Sequence, residues 1–218
     1  MYRGVIFDMD GVLVNNLECH VEAFKIIGLE MGYNLTVEMV RSVFGRSTVD
    51  MLYGMTGKEI SVEEGLALDA RKEEIYRKLA RPRLREMMVP GLEDLLEFFK
   101  SASVTMAVAS SGPDANVDMI LDGLEIRNYF SAVVTGSQVN KGKPDPECFL
   151  LAAERIGIPP EECLVFEDSI AGIKAALASG GRCVALSTTH TREEIAKVGP
   201  HLIVSDFEEF IQLTMDAG

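Results

Sequence analysis

The sequence predicts an α/β protein with a Rossmann-like parallel sheet at its core and an inserted all-helical cap subdomain. Six short apolar runs rich in β-forming residues end abruptly in polar or glycine residues, as fully buried strands do. Helical patterns alternate with the later runs, which is typical of a parallel sheet wound by helices on both faces. The long stretch between the first two runs shows helical spacing and no convincing strand, and it predicts the insert.

The predicted strands and helices follow one another in a regular order after the insert. The apolar runs that predict strands are residues 4–7, 104–109, 132–135, 163–166, 183–186 and 202–204. The patterns that predict helices are residues 91–100, 114–123, 146–156, 170–179 and 192–198. This rhythm favours a parallel sheet wound on both faces by helices.

The predicted insert begins directly after the first strand. A helical segment that runs to about residue 88 is too long for an ordinary βα connection. Asn15, followed three positions later by Glu18, resembles the capping box that opens a helix. Pro82 breaks the last helical pattern of the insert, and Pro90 precedes the next helix. We therefore predict a core of residues 1–15 and 89–218 and a helical cap of residues 16–88.

The composition is that of an ordinary globular protein, with 47% hydrophobic and 25% charged residues. A formal net charge of -13 disfavours binding to nucleic acid and to anionic membrane surfaces. The longest apolar runs fall far short of the roughly 20 residues of a membrane span, and no charged-then-apolar leader precedes Gly4. The four cysteines form no CxxC pair and indicate buried, reduced thiols. We expect a cytoplasmic monomer.

The first predicted strand runs into an Asp-Met-Asp-Gly segment. Asp8 and Asp10 are two residues apart, so an extended chain presents both carboxylates on the same side. Paired carboxylates attract a cation, and Gly11 suits a sharp turn beside such a site. A lone segment of this kind could also be a calcium loop or a surface turn. An EF-hand loop does not fit, because apolar Val12 and Leu13 stand where that loop needs an oxygen ligand and a glycine.

Polar groups also follow three other predicted strands. Ser110, with Ser111 beside it, offers a hydroxyl and nearby backbone N–H groups to a phosphate oxygen. Lys143 lies in a proline-rich turn, and Glu167 and Asp168 stand just before a helix. Because ligands bind outside the carboxyl ends of strands in open α/β sheets, we expect these groups to converge. Taken singly, Ser110 and the acidic pair could be helix caps, and Lys143 could be a solvated charge.

Two nucleotide-binding motifs do not fit the spacing. Gly136 to Lys143 imitates a P-loop, but five residues separate its glycines instead of four, and Pro144 follows the lysine. No Gly-x-Gly-x-x-Gly segment follows the first strand. A dinucleotide enzyme or a P-loop enzyme is therefore disfavoured.

Four motifs in order, DMDGVL, VASS, GKPDP and FEDSIAGIKAA, resemble those of the haloacid dehalogenase superfamily of phosphatases and phosphomutases. The resemblance covers essentially the whole chain and implies a haloacid dehalogenase-like fold. The helical insert after the first motif resembles the small cap of the β-phosphoglucomutase and sugar-phosphatase branch. The chain departs from that branch at Asn15 and Asn16, where Asp followed by Ser or Thr is usual.

The resemblance implies a role for each core residue. Asp8 would attack phosphorus to form an aspartyl-phosphate, and Asp10 would protonate the leaving oxygen and later activate water. Ser110 and Lys143 would hold the phosphoryl oxygens. The presence of Asp10 favours phosphate chemistry, since dehalogenases of the superfamily lack that second aspartate.

The resemblance also implies Mg²⁺ as the cofactor. The ion would bind to the Asp8 carboxylate, to the backbone carbonyl of Asp10 and to Asp168. Glu167 would bind the ion or orient its shell. An anionic nucleophile and a phosphate dianion repel each other, so the chemistry needs such a cation together with Lys143.

The cap is expected to recognise the leaving group, because the core recognises only the phosphoryl group. His20 and Lys72 match cap positions of β-phosphoglucomutase by their spacing, and residues 45–47 fall in its substrate loop. His20 could instead be an ordinary helix residue, and Lys72 a solvated charge. The candidate substrate-binding residues are His20, Gly45, Arg46, Lys72, Ser111 and Asn116.

A hydrolase and a mutase share the aspartyl-phosphate and differ in whether water or a sugar hydroxyl intercepts it. β-Phosphoglucomutase has a loop lysine and an arginine where this chain has Phe44 and Thr48, although Arg46 could replace one of them. We therefore predict a Mg²⁺-dependent phosphatase acting on a small phosphate ester, with a sugar phosphate expected. The alternatives are a β-phosphoglucomutase-like mutase and a non-enzymatic module that binds metal or phosphate.

Overall fold

The computed structural model describes residues 2–43 and 48–215, which form six strands and the helices that connect them. The strands are β1 Gly4–Phe7, β2 Thr105–Ala109, β3 Phe130–Val134, β4 Cys163–Glu167, β5 Arg182–Leu186 and β6 Leu202–Val204. The α-helices are α1 Leu17–Glu30, α2 Val37–Val43, α3 Thr48–Thr56, α4 Val62–Ala80, α5 Leu84–Met87, α6 Leu92–Ser101, α7 Asp114–Gly123, α8 Glu147–Ile156, α9 Ile170–Ala178, α10 Arg192–Ala196 and α11 Phe207–Met215.

The six strands form one parallel sheet in the order β3-β2-β1-β4-β5-β6. β1 lies at the centre, where Phe7 pairs in register with Val108 of β2 and Phe166 of β4. The chain order reverses at β1, so the crevice above this strand is the point at which an open α/β sheet binds its ligand. The predicted fold class is confirmed, and each predicted strand is present.

The two faces of the sheet bury separate hydrophobic clusters because side chains alternate along each strand. On one face Phe7 stacks against Phe166 with ring centroids 5.1 Å apart, and Phe207 meets Phe7 edge-on at 6.0 Å. On the other face Ile6 and Val165 lie in a cluster with Phe149 of α8. Burial of these large apolar side chains fixes the strand ends on which the polar residues stand.

Helices α1 to α5 lie between β1 and β2, and α1 and α4 pack against each other. The chain segments on either side of these helices run side by side. Val14 and Met88 form an isolated antiparallel bridge, the Asn15 N–H donates to the Met87 carbonyl at 2.7 Å, and the Val89 N–H donates to the Leu13 carbonyl at 3.1 Å. We call residues 17–87 the helical insert.

The predicted capping box at Asn15 and Glu18 is wrong. Helix α1 begins at Leu17, so Asn16 occupies the N-cap position, and its side chain makes no capping hydrogen bond. The reason is that the Asn16 amide turns towards Asp10 instead. No helix in the described parts of the chain combines the length and the apolar character needed to cross a bilayer.

Candidate active site

The predicted core residues converge at the carboxyl ends of the central strands. Asp8 follows β1, Ser110 follows β2, Lys143 lies in the loop after β3, and Glu167 ends β4. A cavity of about 690 Å³ lies between these strand ends and the helical insert. Asp8, Asp10, Lys143, Glu167 and Asp168 line it together with residues of α1, α3 and α4.

Lys143 joins two buried carboxylates, those of Asp8 and Glu167. Its ammonium donates to Asp8 Oδ1 at 2.6 Å and to Glu167 Oε1 at 2.7 Å. Burial disfavours the charged ammonium, but Asp8 and Glu167 outweigh it and raise the pKa of Lys143 well above its usual value. The reading of Lys143 as a solvated charge is therefore wrong, because its side chain is only 2% exposed.

Glu167 is held by hydrogen bonds on both oxygens. Oε1 accepts from Lys143, and Oε2 accepts from the backbone N–H groups of Asp168 and Ser169, each at 2.6 Å. The carboxylate lies so close to the first turn of α9 that a Cβ at Gly172 would overlap it. Ser169, not the acidic pair, caps this helix by accepting from the Gly172 N–H.

Asp168 is a buried carboxyl group with one oxygen that no described residue hydrogen-bonds. The Thr189 hydroxyl donates to Oδ2, while Oδ1 is buried without a hydrogen-bond partner in the described residues. Burial and the charges of Glu167 and Asp8 raise the pKa of Asp168 well above its usual value. Gly11, at φ +80°, passes so near this carboxylate that any Cβ would overlap it, so the predicted need for glycine is confirmed.

These carboxylates fit a magnesium ion. Oxygens of Asp8, Glu167 and Asp168 lie within 4.8 Å of one another, and all three residues are buried. Burial raises the pKa of Asp8 to about 7 even though Lys143 opposes the rise. A hard cation with oxygen ligands would satisfy the partnerless oxygen of Asp168 and would favour the ionised form of each group.

Asp10 faces the helical insert. His20 Nε2 of α1 lies 3.6 Å from Asp10 Oδ1, and the Asn16 amide donates to the same oxygen at 2.6 Å. Burial raises the pKa of Asp10, but His20, Asn16 and the charge of Lys72 outweigh burial and lower it. The structure thus places His20, a residue predicted to lie in the cap, beside Asp10 of the core.

Lys72 is buried, which overturns its reading as a solvated charge. Its ammonium contacts His20 Nδ1 at 3.0 Å and Glu73 Oε1 at 2.7 Å, and it lies over the Phe24 ring at 4.9 Å. Because an ammonium can only donate, His20 Nδ1 accepts and the ring proton sits on Nε2, facing Asp10. Burial and the Lys72 charge lower the pKa of His20, so the imidazole stays neutral.

Two residues of the helical insert that the sequence reasoning missed, Tyr76 and Glu73, complete this network together with Asn16. Tyr76 stacks on the His20 ring with centroids 3.9 Å apart, and its hydroxyl accepts from the Asn16 amide at 2.5 Å. Glu73 Oε2 accepts from Asn116 of α7 at 2.5 Å. The spacing of Tyr76, four residues after Lys72, could have signalled a shared helix face, and Asn16 was visible as a departure from the family pattern.

The remaining predicted site residues are placed differently. Ser110 is buried behind the cavity wall, where its hydroxyl accepts from the Gly112 N–H at 2.9 Å, whereas Ser111 and Asn116 line the cavity. Asn116 also accepts from Arg77 at 2.9 Å. Gly45 and Arg46 lie outside the described residues.

These features define an α/β enzyme whose buried carboxylates lie beneath a helical insert. A family model described as haloacid dehalogenase-like hydrolase matches residues 2–180. The chain therefore belongs to the haloacid dehalogenase-like hydrolases, and the predicted resemblance is confirmed.

Two relatives and one solved structure illustrate the family. The chain is 35% identical over 181 residues to a phosphorylated carbohydrates phosphatase of Thermotoga maritima, covering 82% of each chain. It is 36% identical over 209 residues to the chloroplastic protein SUPPRESSOR OF QUENCHING 1 of Arabidopsis thaliana, with 93% of this chain matching 19% of that protein. A β-phosphoglucomutase structure from Clostridium difficile superposes with a TM-score of 0.86 at 25% identity, covering 100% of this chain and 98% of that one.

Proposed function

We propose that this protein is a Mg²⁺-dependent phosphatase that hydrolyses a small phosphorylated metabolite, a sugar phosphate, through an aspartyl-phosphate. The observation that carries the proposal is the Asp8 carboxylate, held by Lys143 beside Glu167 and Asp168 on the floor of a cavity that also contains Asp10. A nucleophile, a fixed cation, a metal-binding carboxylate cluster and a second carboxyl group are the parts that phosphoryl transfer requires.

In the first step a free oxygen of the Asp8 carboxylate attacks phosphorus, and the bond to the leaving oxygen breaks. Asp10 supplies the proton that this oxygen takes up, and a phosphate dianion bound nearby raises the pKa of Asp10 towards that role. In the second step Asp10, now ionised, takes a proton from the water that attacks the aspartyl-phosphate. Inorganic phosphate leaves, and Asp8 is regenerated.

Charge neutralisation is the main difficulty at this site. Two unit charges of like sign at 4 Å repel by about 4 kcal/mol at an effective dielectric constant near 20. Lys143 compensates part of this repulsion. Mg²⁺ held by Asp8, Asp168 and Glu167 would supply the remaining positive charge and stabilise the equatorial phosphoryl oxygens.

A mutase is the second candidate, because the solved neighbour is a β-phosphoglucomutase. A mutase must hold the second phosphate of a bisphosphate in its cap. Within the described residues, the cavity lining carries six carboxylates and two lysines, and Lys72 is already neutralised by Glu73 at 2.7 Å. This lining favours release to water over transfer to a second hydroxyl.

An assay of product partition tests the proposal. With Mg²⁺ and β-glucose 1-phosphate, plus a trace of glucose 1,6-bisphosphate, we expect phosphate release and little glucose 6-phosphate. Other sugar phosphates should also yield phosphate, and Asp8→Asn should abolish release, while the exposed Asp94→Asn should not. Isomerisation that outruns phosphate release tenfold would assign a mutase.

The same assay tests the non-enzymatic alternative, which predicts metal binding without turnover. Release by Asp8→Asn at the wild-type rate would show that Asp8 is not the nucleophile. The expected cytoplasmic location, the monomeric state and the division at residues 15/16 and 88/89 stay predictions.

A further inference from the structure

The face of α4 that lines the cavity carries a charged side chain that the network around Asp10 does not use. Gly65, Asp69, Lys72 and Glu73 all line the cavity, and their spacing places them along one stripe of the helix. Lys72 and Glu73 pair with each other. In residues 2–43 and 48–215, Asp69 has no hydrogen-bond or ion-pair partner, although it is only partly exposed.

Asp69 lies where the leaving group of a bound ester would extend. Tyr76 and Lys72 reach Asn16 and His20, which adjoin Asp10, so the carboxyl-terminal half of α4 lies nearest the reacting centre. Asp69 precedes Lys72 by three residues, about 4.5 Å along the helix axis at 1.5 Å per residue. A part of the leaving group several bonds away from the ester oxygen would therefore reach Asp69. The phosphoryl group bound at Asp8 would not reach Asp69.

The cavity that Asp69 lines also has apolar side chains in its wall. Phe24, Met51, Ile60 and Leu66 are among its lining residues. Such a wall suits the C–H faces of a carbohydrate, and a carboxylate set in it accepts hydrogen bonds from hydroxyl groups. The same carboxylate repels a second anion on the leaving group, because it has no cation among the described residues to neutralise it.

We infer that Asp69 is a specificity-determining residue that accepts hydrogen bonds from a neutral polyhydroxylated leaving group and rejects leaving groups carrying a second phosphate or a carboxylate. This inference rests on the proposed phosphatase function, because it assigns a recognition role within that reaction. Asp69 acts on selection of the ester and takes no part in the proton transfers of Asp8 and Asp10.

The test compares three classes of ester with each variant. The probes are sorbitol 6-phosphate and fructose 1-phosphate, then 2-phosphoglycolate and glucose 1,6-bisphosphate, then p-nitrophenyl phosphate, whose leaving group offers no hydroxyl donor while it is esterified. Asp69→Ala should lower kcat/KM for the polyol phosphates by about tenfold or more, because a hydrogen bond to a charged group is lost. Asp69→Asn should raise kcat/KM for the anionic esters severalfold. Both variants should hydrolyse p-nitrophenyl phosphate within about threefold of the wild type.

Glu63→Gln is the matched control, because Glu63 is exposed on the same helix and does not line the cavity. Equal changes for all three classes, or no change in either Asp69 variant, would overturn the inference while leaving the phosphatase intact. Failure of the wild type to release phosphate from every ester, including p-nitrophenyl phosphate, would instead remove the proposed function itself.

Discussion

Gly172 determines how closely Glu167 can approach helix α9. A Cβ at this position would overlap the Glu167 carboxylate, which Lys143 and two backbone N–H groups already hold. Alanine improves helix propensity over glycine by about 1 kcal/mol, but overpacking a site that cannot move costs about 1–3 kcal/mol. We expect Gly172→Ala to lower the free energy of unfolding by up to about 2 kcal/mol in urea denaturation.

The same substitution should displace Glu167 from Lys143 and lower kcat/KM. Gly142→Ala serves as the control, because a Cβ at Gly142 meets no atom within 4 Å. Equal stability and activity in the two variants would show that the Glu167 carboxylate can move aside without loss.

The core residues of the site could be predicted from the sequence because each follows a recognisable strand. Asp8 and Glu167 stand at the ends of separate apolar runs, Lys143 lies in the loop after another, and parallel topology brings the carboxyl ends of such strands together. Tyr76 and Glu73 could not be found in this way. They lie within an amphipathic helix, and nothing local distinguishes a polar side chain that is buried in the folded protein from one that faces water.

At the level of elements, α4 and α7 are joined by polar contacts rather than by apolar packing alone. Arg77 of α4 donates to Asn116 Oδ1 at 2.9 Å, while the amide nitrogen of Asn116 donates to Glu73 of α4 at 2.5 Å. Both bonds involve an ionised partner, and such bonds are stronger than neutral ones. The first bond is partly buried and the second is buried. They tie the helical insert to the helix that follows β2.

A double-mutant cycle with Arg77→Ala and Asn116→Ala should therefore show coupling. We expect an interaction free energy of about 1–2 kcal/mol in urea unfolding, because each single variant breaks the same partly buried hydrogen bond. The exposed pair Arg71 and Glu30, at 3.2 Å, provides a matched cycle within the insert and should couple by less than about 0.5 kcal/mol. Similar coupling in the two cycles would mean that burial adds nothing to the α4–α7 contact.

The sequence predicted the strands more accurately than the start of α1. Continuous apolar runs such as 163–166 leave few alternatives, and β4 differs from that prediction by one residue. The start of α1 was predicted wrongly because a capping pattern assumes that the asparagine serves the helix. In the folded chain the Asn16 amide nitrogen donates to Asp10, so a tertiary contact, not the helix, sets the orientation of this side chain.

At the scale of the whole molecule, an excess of acidic charge makes the protein sensitive to divalent cations. The net charge is -13, and the carboxylates of Asp8, Glu167 and Asp168 are buried together. Binding of Mg²⁺ to the folded state alone adds about 2.7 kcal/mol at a concentration of 100 times Kd. For a chain of this size we expect a rise in Tm of about 5–10 °C in a thermal scan.

The variant Asp168→Asn tests whether the effect of Mg²⁺ on Tm depends on the carboxylate of Asp168. Without Mg²⁺ the variant should be at least as stable as the wild type, because it removes a buried carboxyl group whose Oδ1 has no hydrogen-bond partner in the described residues. With Mg²⁺ its Tm should stay unchanged, whereas the exposed Asp94→Asn should respond as the wild type does. A wild-type Tm that does not change on addition of Mg²⁺ would contradict binding of the ion at Asp8, Glu167 and Asp168.

The two chain segments that flank the helical insert pair with each other at Val14 and Met88, and this pairing affects the entropy of closing the chain. They hold the two ends of the helical insert at hydrogen-bond distance. For the folding of the sheet, the insert therefore acts as one closed loop. The entropy of closing a loop depends on the logarithm of its length, and a doubling costs only about 0.6 kcal/mol. The sheet should therefore tolerate the exchange of the whole insert for one of another size, with strands β1, β2 and β4 unchanged.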